Sequence, residues 1–493
     1  MKERKKDFLI KRALEILPGF VSWNLILFPL WGAFVSPLAV AYFVLTFDIF
    51  WLYKSISLAF FSIISHLRIE ASKKMDWVGE VSYFPDGERV HHLVIICTYK
   101  EPIHILERTL DSLVGQSLSK KQISVILGFE SREKDWQLKA KELEKKYQKK
   151  FAFFLVNEHT LVPGETAGKH SNARAAISAA KKKLIDTKKI DPNYTIVTSC
   201  DADHVYHPFY FACLTYKFLD NPHRYERLWQ PAIVFYNNFW RLPALSRVTN
   251  TFCTISNIAQ LSRTDRLINQ QNYSLSYQLL EKIGFWDPDV IPEDWHMFFK
   301  AFFKTKGKAE VEPIYLPLYA DAAESTTLLK TIKNQYEQFK RWAWGVSDDP
   351  YVIKNYFTAK EVPFWDKTLR TLRLILDHFL WPVNWFIISV GINLPAILNK
   401  NFYSRTAIGF NLPKVSSGIL SLCLLFLAVV LWVDFKQRPP RPQNFPKIRA
   451  ILLPLEFILM PISGFLFTFL PGLDAHTRLM LGKYIEYRVT EKV

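Results

Sequence analysis

Cysteine is scarce in this chain: 493 residues hold five, Cys97, Cys200, Cys213, Cys253 and Cys423. No two of them form a CxxC pair, which excludes a zinc or disulfide framework and leaves packed thiols in a reducing compartment. A small-residue cleavage site is also missing after the first apolar stretch. That stretch is too long for a signal peptide, so it is expected to remain as membrane anchor. A basic stripe along one domain is missing too. The net charge is +17, but the basic residues gather around the apolar blocks, where they attract anionic lipid. No nucleic-acid partner is expected.

What the chain does have is long apolar runs. Phe20 to Ile69 are about fifty mostly apolar residues, enough for two spans of roughly 20 residues each. Gly32 and Pro37, in "LWGAFVSPLAV", mark the break. A second block starts near Leu372 with "LILDHFLWPVNWFIISVGINLPAIL", "GILSLCLLFLAVVLWV" and "ILLPLEFILMPISGFLFTFL". The predicted organisation is a membrane region at 1–69, a soluble domain at 70–350 and an interfacial linker at 351–371. A second membrane region of about three segments follows at 372–475, then a tail at 476–493. Lys2, Arg4, Lys5, Lys6, Lys11 and Arg12 precede the first span and favour a cytoplasmic N-terminus. Two spans return the chain to that side at "HLRIEASKK", so the soluble domain is expected in the cytoplasm, on the plasma membrane.

The soluble domain alternates strand and helix signals. "HHLVIICTY", "KQISVILGF", "FAFFLV" and "NYTIVTSC" read as strands separated by amphipathic or charged helices. That order predicts an α/β fold, a mainly parallel sheet with helices on both faces. Ligands bind such sheets beyond the carboxyl ends of the strands. Thr98, Tyr99 and Glu101, then Glu130, then Asp201 and Asp203 all fall there. Loop capping accounts for one such cluster and poorly for three. In extended backbone, Asp201 and Asp203 point to the same side. Like charges so placed repel unless a cation lies between them, and Mg²⁺ suits two carboxylates. The alternative is a strand-end turn in which both cap local amides.

Three further clusters carry both a functional and a structural reading. Lys169 in "PGETAGKHSNARAA" precedes a helix start, where free amides favour an anion such as phosphate; a solvated loop lysine is the alternative. Glu293 and Asp294 open an amphipathic helix and are either a general base with its neighbour or simple caps. Gln338, Arg341 and Trp342 in "NQYEQFKRWAWG" share one helical face. Arg offers a fork for phosphate and Trp a flat apolar plate, unless the helix merely rests at headgroup level.

Taken together, "TYKEP", "GKHSNA", "DADH", "EDW" and "QFKRW", in this order between apolar blocks, resemble the membrane glycosyltransferases of family 2. The cellulose, hyaluronan and chitin synthase group is the nearest likeness, over roughly residues 90–350. The resemblance implies a GT-A fold, a nucleotide-sugar donor (a UDP-sugar favoured), Mg²⁺ or Mn²⁺, and inversion at the anomeric carbon. It places Asp201 at the donor nucleotide, Asp203 on the metal, and Asp294 as the base on the acceptor hydroxyl. Gln338, Arg341 and Trp342 then form a QxxRW motif, with Arg341 at the pyrophosphate and Trp342 under the acceptor sugar. The acceptor is a glycan or lipid-linked sugar, and partner subunits are not specified.

The tail "YRVTEK", Tyr487 to Lys492, resembles the FxVTxK gating loop of that group, with Tyr in place of Phe. This requires a cytoplasmic C-terminus, and Pro454, Pro461 and Gly464 make the last apolar run a candidate hairpin or re-entrant segment. Two features depart from the pattern. "GFESRE" offers Glu130 where the group carries Asp, and no FxxGS motif is present, "NYSLSY" being nearest. The expected function is extension of a polysaccharide. One alternative is single transfer to a polyprenyl phosphate or glycolipid, and another is an inactive nucleotide-sugar-binding scaffold.

Overall fold

The structure is a computed structural model that describes residues 2–486. Its centre is an eight-stranded sheet in the order β3-β2-β1-β4-β7-β6-β8-β5. In chain order the strands are β1 (His91–Thr98), β2 (Ile123–Glu130), β3 (Phe153–His159) and β4 (Thr195–Asp201). Then come β5 (Val205–Tyr206), β6 (Arg227–Val234), β7 (Tyr273–Ser276) and β8 (Glu310–Tyr319). β1 is a strand because both of its faces are buried. Leu93 and Ile95 join one apolar core while Val94 and Ile96 join the other, the alternation that a strand imposes. The helices Ile103–Val114 and Tyr210–Asp220 supply the second core, and Lys169–Ala180, Ala244–Leu261 and Glu293–Lys304 the first.

β1 to β4 pair parallel, as the strand–helix alternation predicts. The other half is mixed, because β7 runs antiparallel to both β4 and β6. The expected α/β architecture between helical terminal regions is therefore what the chain adopts. The register decides the site. Cys97 lies beside Asp201, and Thr98 beside Phe129, so the ends of β1, β2 and β4 open onto one edge. All five cysteines are free, with Cys200 and Cys213 fully buried.

Among the described residues, four helices are long and apolar enough to cross a membrane: Lys6–Val35, Pro37–Ser72, Ala407–Gln437 and Lys447–Met480. Phe364–Leu380 with Asn384–Gly391, bent by 58°, makes a fifth candidate. Their contacts sort their ends. Val40, Ala41 and Val44 cluster with Ile392, Phe402 and Leu412, and Asn399 donates to the carbonyl of Ala33 at 3.0 Å, all remote from the sheet. At the other end Gln437 bonds His66 at 2.6 Å, and Ser65 meets Ser262 of the soluble domain at 2.7 Å.

The segment Lys447–Met480 behaves differently. Glu456 takes a forked bond from Arg247 at 2.8 and 3.0 Å, Ser463 meets Thr249 at 2.6 Å, and Asp474 lies 3.5 Å from Lys340. Its end then returns to the start of the first helix, where Arg12 donates to the carbonyl of Met480 at 3.1 Å. Start, middle and end of this segment all touch soluble-domain helices or the N-terminal end of the first one. Ile448, Ile451, Leu455, Ile458 and Ile462 remain exposed along it, at the spacing of one helical face.

Candidate active site

Lys169, the first residue of the helix Lys169–Ala180, reaches across the sheet edge. Its ammonium lies 2.6 Å from Asp201 and 3.4 Å from Glu293, and it donates to the carbonyl of Gln271. Burial alone would discharge this lysine, but the Asp201 and Glu293 charges outweigh burial and hold it firmly protonated. The ammonium thus rests among carboxylates, at the strand end, and joins two clusters about ninety residues apart in sequence.

The first cluster belongs to the end of β4. Asp201, Asp203 and His204 each offer one ligand atom, and these atoms lie within 4.8 Å of one another. Asp203 accepts from the backbone N–H of Asp321 at 2.9 Å, and Arg108 pairs with Asp321 at 2.6 Å. Asn272 bonds the Nδ1 of buried His204 at 3.2 Å and orients its ring. Two carboxylates and an imidazole are a donor set that suits Mn²⁺ or Mg²⁺.

Glu293 and Asp294 open the helix Glu293–Lys304 and make the second cluster. Burial, reinforced by Asp294 and opposed by Lys169 and a 2.7 Å bond from the Tyr273 hydroxyl, raises the Glu293 carboxyl to about 7. Asp294 is also raised by burial, against two backbone N–H donors, Gln271 and Trp295, each at 2.9 Å. Those two bonds fix the direction of its oxygens. Gln271 therefore serves both clusters, with its carbonyl on Lys169 and its N–H on Asp294.

At the ends of β1 and β2, Glu101 closes the turn, accepting from the Thr98 hydroxyl at 2.7 Å and the Tyr99 N–H at 2.6 Å. Glu130 is held by Arg132, whose guanidinium lies 4.6 Å from the centre of the Tyr99 ring. Gln338 is buried, and Trp342 packs on Phe339 at 4.8 Å and Phe235 at 6.1 Å. Two residues beyond Phe235, Asn237 donates to the carbonyl of Asp203 at 3.1 Å, so Trp342 reaches the β4 end through this segment. Arg341 lines a cavity of about 500 Å³ with Lys340, Arg478 and Tyr484.

The structure thus brings Asp201 and Glu293 into direct contact with Lys169, ties Asp294 to the same lysine through the backbone of Gln271, and sets Asp203 beside Asp201. Tyr99 and Glu130 meet through Arg132, and the Gln338–Trp342 face approaches through Phe235. His204, Gln271 and Arg132 are the neighbours that the motifs did not single out. His204 directly follows Asp203, whereas nothing local marks Gln271. Asn272–Tyr277, the nearest candidate for an acceptor motif, is largely β7, a central strand. The gating-loop likeness at Tyr487–Lys492 lies outside the described residues.

Residues 196–434 match the model of the glycosyl transferase family group 2, a region running from β4 through both carboxylate clusters and the QxxRW motif. This agrees with the enzyme class expected from the motifs. Among solved structures, a mannosyltransferase from Pyrobaculum calidifontis, PcManGT, in complex with GDP-Man and Mn²⁺, is 13% identical. That alignment covers 77% of this chain and all of the other, with a TM-score of 0.44. TarS 1–349 of S. aureus with UDP-GlcNAc is 15% identical over 81% of this chain and 93% of its own, at a TM-score of 0.36. No curated protein matches the chain.

Proposed function

We propose that this chain is a membrane-embedded, inverting glycosyltransferase of the GT-A type, with its soluble domain in the cytoplasm. It transfers a sugar from a nucleotide-sugar donor, a UDP-sugar favoured, to a growing polysaccharide. The observation that carries this reading is the Lys169 bridge. One ammonium links Asp201 at 2.6 Å to Glu293 at 3.4 Å, so the β4 carboxylates and the base-bearing helix face a common space.

In this reading Asp203, Asp201 and His204 would hold Mg²⁺ or Mn²⁺, and the ion would supply positive charge against the donor diphosphate. Asp294 accepts the proton of the acceptor hydroxyl as that oxygen bonds to the anomeric carbon. The bond from that carbon to the diphosphate breaks on the opposite face, and the electron pair leaves with the nucleotide. Two backbone donors hold Asp294 in place, and burial raises its affinity for the proton. Glu293, half-neutral near pH 7, limits repulsion beside it. Arg341 and Trp342 serve the pyrophosphate and the acceptor sugar, while Tyr99, Glu130 and Thr98 with Glu101 shape the nucleotide end.

The test uses the full chain in lipid nanodiscs with a panel of UDP- and GDP-sugars and either metal. One donor should release its nucleotide only with metal present, and Asp203→Ala and Asp294→Asn should each lower turnover by about 10²-fold or more. Products longer than one added sugar support polymer synthesis; a single addition points to a lipid-linked acceptor. No binding of any nucleotide-sugar would sink the reading.

A further inference from the structure

The two residues after Asp294 are gripped from outside the sheet. The Trp295 ring stacks on the ring of His378, with centroids 4.8 Å apart and planes 4° from parallel. His296 is buried, and its two ring nitrogens bond Asp287 at 2.7 Å and Asp348 at 2.8 Å. His378 in turn bonds the fully buried Asp349 at 2.6 Å through Nδ1. Asp348 ends the turn Trp344–Asp348, which continues the QxxRW helix, and Asp349 opens the next helix. His378 sits near the end of Phe364–Leu380, the first half of the bent membrane-length pair.

These contacts close a ring. From Asp294 it runs through Trp295 and His296 to Asp348, then Asp349, then His378, and back to Trp295. Gly345 eases the closure. A Cβ there would come within 3.3 Å of the His378 Nε2 and 3.7 Å of the Trp295 ring, so any larger residue would press on the stack and shift it by a few tenths of an ångström. Neither histidine nor either aspartate belongs to the donor, metal or base machinery, yet all four are buried and joined by charge-assisted bonds.

We propose that Asp348 and Asp349 form a clasp that orients the base helix, one holding His296 and the other holding His378 of the membrane-length segment. The proposal rests on the reading of Asp294 as the base. Asp348, Asp349, His296 and His378 are then positioning residues, and the bend near His378 and the direction of the Asp294 carboxylate move together. Asp294 directly precedes the two gripped residues, so loosening the clasp frees the first turn of helix Glu293–Lys304, where its carboxylate sits.

The test compares His378→Ala, His378→Asn and Asp349→Asn with the parent in nanodiscs, measuring kcat and donor KM, with Tm as a check on folding. Asn keeps a donor where His378 Nδ1 sits but removes the ring. His378→Ala and Asp349→Asn are expected to lower kcat about 10- to 100-fold, the scale of a base displaced by about 1 Å, with donor KM within about twofold. His378→Asn, which keeps the bond to Asp349 but not the stack on Trp295, should recover only a minor part of that loss. Asp349→Asn, nearly unchanged in shape, keeps the test valid where the alanine variant fails to fold. Normal kcat in both broken variants, or a rise in KM at constant kcat, overturns the clasp while leaving an inactive Asp294→Asn to support the base. Full turnover in Asp294→Asn overturns the base reading, and the clasp with it.

Discussion

At the scale of single residues, Gln271 is the least expected part of the site. Its backbone lies in the left-handed region at φ 47°, which costs a non-glycine residue roughly 1–2 kcal/mol. That conformation turns its carbonyl to Lys169 and its N–H to Asp294 within one residue. Both contacts are made by the main chain, so the side chain should be dispensable. Gln271→Gly should therefore keep turnover within about threefold and change stability by less than about 1 kcal/mol, since relief of strain offsets added freedom of the unfolded chain. Gln271→Pro removes the N–H and forbids the positive φ, and should abolish turnover. Equal, severe losses in both variants, read by nucleotide release and Tm, would show that the side chain matters.

At the scale of elements, the helix Glu293–Lys304 is defined by what holds its first turn. Burial pulls the His296 imidazole down, but the Asp348 charge and the bonds to Asp287 and Asp348 outweigh it, raising it to about 9. Lys300, at 2.7 Å from Asp287, and the Tyr351 ring, 4.4 Å from His296, complete its surroundings. A pKa raised on folding contributes stability that is fully present below the unfolded value, about 6.5, and lost as pH rises through about 9. The shift corresponds to about 3 kcal/mol. Tm should therefore fall between pH 6.5 and 9.5 by more in the parent than in His296→Gln. Parallel pH profiles for the two proteins would show that His296 is not charged in the fold.

At the scale of the whole molecule, the contacts of Lys447–Met480 give a testable expectation for the side on which the chain ends. Arg247, Thr249, Lys340 and Arg12 all contact this segment, and all lie on the soluble domain or at the N-terminal end of the first helix. A straight span could not touch that side at both ends. The segment is best read as lying along the domain at the membrane face, with its exposed isoleucines toward lipid. The C-terminus should then share a side with the N-terminus. Membrane-impermeant labelling of a cysteine placed at Val493 and of one placed near Lys2 should occur from the same face of sealed vesicles. Labelling from opposite faces would make the segment a true crossing.

Much of this protein is determined by local sequence. Apolar runs of span length, and a strand–helix alternation in which β1, β2 and β4 are buried on both faces, declare themselves by composition and period. So does the pair Asp201 and Asp203, two residues apart at a strand end, although β4 stops at Asp201 and a turn, not extended backbone, carries Asp203. Tertiary structure alone decided the rest. Lys169 reads as a loop lysine waiting for phosphate until the fold places it between Asp201 and Glu293. Gln271, His296 and His378 carry no local signature, because their partners come from segments remote in sequence. Nor does hydropathy fix the course of Lys447–Met480: it reports how apolar a segment is, whereas its course depends on which helices its few polar residues, Glu456, Ser463 and Asp474, find as partners.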